Sequence, residues 1–340
     1  MKQDGCAMWK PVEIAMDLVE LPATRPRIVA VEAGHLAAYA LDADQGNLYS
    51  WGTQIFGQLG HGEDLDPEVT PCNDIAEAEG GGSINGEEHS TRQHDVENHH
   101  EEDEDDAEPQ PKIVIVERTP KLVEGLVGHA IVKISAGNHF VVAVTTNGSV
   151  FSWGRGCFGQ LGNGDFANVS TPAQIDALKA YTAVDIAAGL NHVLGVFVVR
   201  DDLSLSNQQE APDNSLLQQY EDTSPSERTV VMVWGRGKHG CLGLGGSKNE
   251  VCPCESTFFR GLAPAKVAAG ADHSLVMCRV GARTFLYAFG GNQLGQLGIA
   301  SGVDHVDMPS FLDEFVNVHV ASIGAGSQYS AALTGMFRCF

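Results

Sequence analysis

The stretch IVKISAGNHFVVAVTTNGSVFSWGRGCFGQLGNGD, residues 131–165, decides the fold. Its middle holds two runs rich in β-branched and aromatic residues, HFVVAVTT and SVFSW, on either side of Asn147-Gly148. Asn-Gly between such runs signals a tight hairpin turn in which both central residues take positive φ. The segment therefore predicts an antiparallel blade of short strands. Its flanking phrases recur: FGQLGHG stands at 56–62, HGCLGLGG at 239–246 and LGQLGIA at 294–300. A catalytic motif is normally present once per active site, whereas a repeated phrase builds architecture.

Two anchors march in step along the chain. The Gly-rich phrases place Gly57, Gly159, Gly240 and Gly295 at separations of 102, 81 and 55 residues. Ala-Gly pairs at 33–34, 136–137, 188–189, 269–270 and 325–326 have glycines separated by 103, 52, 81 and 56 residues. The unit is thus 52–56 residues long, and two units are stretched by insertions. Internal periods of this size belong to solenoids or propellers. The stretch 11–31 reads as the tail of a preceding unit.

Composition marks the insertions. From Cys72 to Lys112 there are 14 acidic and 2 basic residues, which is −12 of the net charge of −23. With almost no large apolar side chains, residues 73–111 cannot bury enough area to offset their ordering entropy, so an acidic disordered insertion is expected there. Residues 201–228, rich in Ser, Gln and Asp, form a second, flexible one. The whole chain, 1–340, then reads as one repeat domain. With 39 glycines and 7% aromatic residues, the expected class is all-β.

The same counts weigh against several functions. A net charge of −23 repels phosphate, so nucleic acid is an unfavourable partner. No run reaches the roughly 18 to 20 apolar residues of a membrane span. Asp4, Glu13 and Asp17 stand where a signal peptide would be apolar, which suggests an intracellular protein, cytoplasmic or nuclear. The eight cysteines are scattered without a CxxC pair, and CPC at 252–254 is too tight for zinc, which fits free thiols in a reducing compartment and no metal. His89, His94, His99 and His100 lie in the acidic insertion, where no fixed second shell would support a metal ion. GxxxxGK[ST], GxSxG and HExxH are all absent, so neither an enzyme nor a cofactor is expected.

The order Ala-Gly, His, apolar strand, Asn-Gly, strand, Trp-Gly, Gly-Gln-Leu-Gly resembles the regulator of chromosome condensation repeat. That resemblance implies a β-propeller of four-stranded blades, commonly seven, of which about five are visible here. Light-sensing members of the family carry GWRHT motifs, and none occurs in this chain. The resemblance also implies a partner-binding face made by the loops after each Ala-Gly pair. By position this face includes Asp272 and His273 of AGADH, Asn191 and His192 of AGLNH, and Asn138 and His139 of AGNHF; His35 is shifted relative to them. The expected function is a monomeric scaffold that binds protein partners through its loop faces. The alternative is a guanine-nucleotide exchange factor for a small GTPase.

The repeat residues themselves read as packing. Leu59, Leu161, Leu242 and Leu297 should face between blades, and Gln58, Gln160 and Gln296 should bond loop backbone. Trp51, Trp153 and Trp234, with Phe289 in the fourth unit, should bury against a neighbouring blade.

Overall fold

The computed structural model describes residues 26–62, 115–200, 228–300 and 302–335. It contains four four-stranded antiparallel sheets and one two-stranded sheet, laid out in chain order. Blade 1 is β1 (Ile28–Ala33), β2 (Ala37–Asp42), β3 (Leu48–Gln54) and β4 (Ile115–Leu122). Blade 2 follows with β5 (Ile131–Ala136), β6 (Phe140–Thr145), β7 (Val150–Gly154) and β8 (Val169–Gln174). Blade 3 is β9 (Tyr181–Ala188), β10 (His192–Val199), β11 (Thr229–Gly235) and β12 (Glu250–Glu255), and blade 4 is β13 (Pro264–Ala269), β14 (His273–Val280), β15 (Arg283–Gly291) and β16 (His305–Phe311). Blade 5 shows β17 (Val320–Ala325) and β18 (Ser330–Thr334). The all-β, multi-blade expectation holds. Among the described residues the only helical elements are 3-10 turns of three residues, such as Glu124–Leu126.

The opening hairpin forms where the sequence places it. Val144 pairs with Val150 across the turn and Gly148 has φ 77°, but Asn147 does not take the positive φ expected of it, so the turn is not one with both central residues left-handed. In blade 3 the equivalent pair, β10 with β11, keeps register from His192↔Gly235 to Val198↔Thr229, although residues 201–227 lie between them. Most of the 201–228 insertion, the 73–111 insertion and the histidines at 89–100 lie outside the described residues. One reading of phase needs correction. Residues 28–31, expected as the tail of a preceding unit, pair with β2 and open blade 1. Ala-Gly therefore closes an innermost strand instead of opening a unit.

Cores sit between blades. Strand residues alternate in direction, so one strand feeds two joints. Val141 and Ala143 of β6 pack toward blade 1 with Tyr39, Leu48 and Leu59, whereas Phe140, Val142 and Val144 pack toward blade 3 with Ile186 and Trp234. This explains why these strands are continuous apolar runs and not alternating ones. The first blade lacks such a neighbour among the described residues. Val31 is 71% exposed, while its equivalents Ile134, Ile186 and Val267, packed on the preceding blade, are 7%, 1% and 5% exposed.

The innermost strands are stitched in sequence. Glu32 Oε1 accepts the Ala136 amide at 3.3 Å, Ser135 Oγ accepts the Ala188 amide at 3.0 Å, and Asp185 Oδ2 accepts the Val267 amide at 2.9 Å while pairing with Lys133. Lys266 Nζ then reaches Ser322 Oγ at 3.3 Å in blade 5. Together these strands line an open cavity of about 870 Å³. Burial in this wall raises the Glu32 carboxyl pKa, opposed by the Ala136 bond and the Lys133 charge.

Candidate functional site

Both recurring loops lie at one end of each of the first four blades. The chain enters β2 after Ala-Gly and leaves β3 before Gly-Gln-Leu-Gly, and Ala37 of the first pairs with Gly52 of the second. The same pairing holds for Phe140↔Gly154, His192↔Gly235 and His273↔Gly290. One face of the array therefore carries all the expected site residues.

That face is built on joints. Gln58 Oε1 accepts the amides of Ile55 and Phe56, and its Nε2 donates to the Thr53 carbonyl. Gln160 and Gln296 repeat the amide bond with Phe158 and Leu294. The indoles of Trp153 and Trp234 donate to the carbonyls of Gln58 and Gln160 in the preceding blade, at 2.9 and 3.0 Å. Both are fully buried, whereas Trp51 of blade 1 is only half-buried. Leu59, Leu161, Leu242 and Leu297 are buried as expected.

The Ala-Gly glycine is needed for a close approach. A Cβ at Gly137, Gly189, Gly270 or Gly326 would overlap the ring of Phe140, His192, His273 or Tyr329 respectively. This fixes the structural register of the site residues. His192 and His273 share the ring position, but in blade 2 Phe140 fills it, and His139 stands one place earlier, level with Asn191 and Asp272. His35 and Asn138 stand one place earlier still.

The ring position matches the next blade. His192 Nε2 lies 3.0 Å from Ser274 Oγ, and that hydroxyl donates to the Cys241 carbonyl at 2.7 Å. With its proton so committed, Ser274 must accept from His192 Nε2–H. His273, Ser330 and the Gln296 carbonyl repeat the relay at 3.0 and 2.7 Å. Where blade 2 carries Phe140, the residue equivalent to Ser274 in blade 3 is Val193, and both lie in one apolar cluster. Histidine occurs where the next blade offers a hydroxyl, and phenylalanine where it offers a methyl. Burial holds His192 neutral, its pKa lowered to about 4 despite the opposing Asp272 charge; burial lowers that of His273 too.

Blade 2 carries a different arrangement. Gln58 Nε2 donates to His139 Nδ1 at 3.2 Å, which leaves the proton on Nε2, 2.9 Å from His35 Nδ1. Asn138 also approaches that His35 nitrogen, at 3.0 Å, and the Phe56 ring lies 5.0 Å from the His139 ring. Burial, with the His35 and Arg155 charges, lowers the His139 pKa to about 3. His139 also has φ 61°.

Of the six expected site residues, Asn138, His139, Asn191, His192 and His273 are buried, and Asp272 reaches the surface. Asp272 lies 3.5 Å from His239 Nδ1, on the loop equivalent to that of Phe56 and Phe158. The sequence reading missed a band on the same face. The Arg155 guanidinium sits 5.2 Å from the Phe56 ring centroid and 5.4 Å from that of Phe158, and Arg236 sits 4.6 Å from Phe158. Its sequence signal was present: Arg follows Trp-Gly at 155 and 236.

Comparison with known proteins agrees with this architecture. The Regulator of chromosome condensation (RCC1) repeat matches residues 147–196, 231–277 and 285–333, and a second profile of that repeat matches 131–160. The chain is 28% identical to the E3 ubiquitin-protein ligase HERC2 of Homo sapiens over 215 residues, 63% of this chain and 4% of that one. It is also 28% identical to the Ultraviolet-B receptor UVR8 of Arabidopsis thaliana over 310 residues, 91% of this chain and 51% of the receptor. The crystal structure of human WBSCR16 superposes with a TM-score of 0.59 at 17% identity, covering 93% of this chain and 60% of that one. The chain thus spans about half the length of the receptor and a small part of that of the ligase.

Proposed function

Because the chain belongs to the regulator of chromosome condensation repeat family, we propose that it is a protein-interaction scaffold that engages its partners through the loop face. The observation that carries this reading is the continuity of that face. Phe158, Arg236, His239 and Asp272 are half-buried and Leu294 is exposed, giving aromatic, cationic, imidazole, acidic and aliphatic groups across three consecutive blades. Partly buried aromatic and arginine side chains are what protein interfaces concentrate. The reading needs a complementary surface and no bond-making step.

A second reading is guanine-nucleotide exchange on a small GTPase. Asp272 favours it, being the candidate acid whose carboxylate reaches solvent on this face. Such a protein binds nucleotide-free GTPase more tightly than the loaded form, and the coupling weakens nucleotide affinity reciprocally. The cell interior suits either reading, since Cys157, Cys241, Cys252, Cys254 and Cys278 are all free thiols. No helix among the described residues is long and apolar enough to cross a membrane.

Affinity capture from lysate in three arms, with magnesium and GTP, magnesium and GDP, or EDTA, separates the two. The scaffold retains the same partners in every arm. A GTPase held in the EDTA arm alone would establish exchange and displace the scaffold reading. Capture of nothing specific would sink both.

A further inference from the structure

Arg155 is 4% exposed, yet among the described residues no carboxylate or carbonyl partners its guanidinium. Its cation–π partners are two phenyl rings, Phe56 from blade 1 and Phe158 from its own blade. Its nitrogens are nevertheless not sealed from solvent, unlike the enclosed polar atoms of Gln160 and Asn191. A buried guanidinium beside two rings is pre-organised, because its stem has already lost much of its rotamer freedom and its donors form a planar fork. A buried cation without an anion is costly, and a site that leaves one open gains most when an anion arrives.

The repeat breaks at this place. The Arg155 position is Thr53 in blade 1, Arg236 in blade 3 and Gly291 in blade 4, so the alternating Phe56–Arg155–Phe158–Arg236 ladder spans the first three blades and stops. The joint beneath it is also unlike its neighbour. Gln58 and His139 bond across the first joint, whereas the shorter Asn191 leaves both its amide atoms and Gln160 Nε2 unpaired at the second. Packing alone demands the same residues at every blade, and these differ from blade to blade.

Resting on the scaffold reading, we propose that this ladder is a carboxylate-docking site, taking one aspartate or glutamate side chain of a protein partner onto Arg155, with Arg236 beside it. Guanidinium and carboxylate match as two parallel hydrogen bonds, and the flanking rings cover the partner's methylenes. The chain's charge of −23 sets the context of that residue: a single acid among neutral or basic neighbours is drawn in, while an acidic run is repelled.

The test selects random phage-displayed peptides on the whole chain and measures binding of the enriched peptides. Selected peptides share one Asp or Glu with neutral or basic flanks. Changing that residue to Asn or Gln weakens binding roughly 10- to 100-fold, the value of a charged hydrogen-bonded pair. Arg155→Gln and Arg155→Lys lose a comparable factor, the second because lysine keeps charge but not the fork; melting curves check both folds, and the peptide-side change needs no variant protein. An enriched sequence without an acid, an acid indifferent to Arg155, or no enriched peptide each overturns the proposal. If Arg155→Gln still captures the same lysate partners as the wild type, the scaffold reading stands and this site falls.

Discussion

Swapping the polar third joint for the apolar second one tests whether His192 is a joint residue. Ser274→Val installs the residue that Val193 already is at the equivalent place, so the backbone accommodates it. It strands two buried groups, His192 Nε2–H and the Cys241 carbonyl, and at about 1–3 kcal/mol each the loss is about 3 kcal/mol. His192→Phe installs the Phe140 solution and leaves the Ser274 hydroxyl still donating to Cys241, so it costs about 1 kcal/mol or less. The double variant still strands the Cys241 carbonyl but no longer the imidazole N–H, so it loses about 2 kcal/mol less than the sum of the single variants, the coupling read in a urea-unfolding cycle. The pH dependence gives an independent readout. Folded His192 takes up its proton at about 4 and the unfolded chain at about 6.5, so stability is full above pH 6.5 and falls as the pH drops toward 4. At pH 5 that amounts to about 2 kcal/mol, which His192→Phe removes. Additive losses in the cycle, or an unchanged acid limb in His192→Phe, would refute the joint assignment.

Three further outcomes follow. Gly189→Ala drives a Cβ into the His192 ring and costs about 3 kcal/mol or more, whereas Gly281→Ala, at φ 58° with nothing within 4 Å, costs about 1, measured as urea midpoints. Asp185→Ala releases both Lys133 and the Val267 amide, and lowers stability by about 2 kcal/mol, with faster amide exchange at Val267 as its local signature. Among the described cysteines, thiol labelling followed by mass spectrometry finds exposed Cys252 modified first, and Cys241 and Cys278 last, because burial raises the pKa of both thiols.

The repeat was legible because each blade reuses the same joint. Leu59 and Leu161, Trp153 and Trp234, and Gln58 and Gln160 recur at one spacing and do the same work in each blade. The histidines were less legible. AGNHF and AGLNH look alike as strings, but the Gly anchor and strand pairing place Phe140, not His139, against the glycine. The matching of His192 to Ser274 spans 82 residues, and that of Arg155 to Phe56 spans 99, so no local window contains either. Three-residue turns such as Glu124–Leu126 are too short to leave a periodic trace.

The central claim is that the loop face meets the partner while the rest of each blade holds the array together. Hydrogen–deuterium exchange of the chain with and without a captured partner tests it most directly. The account predicts protection concentrated at the loops around Arg155, Arg236, His239 and Asp272, with the outer strands β8, β12 and β16 unchanged. Protection confined to those outer strands, or to the opposite end of the blades around Gly148 and Gly281, would contradict it.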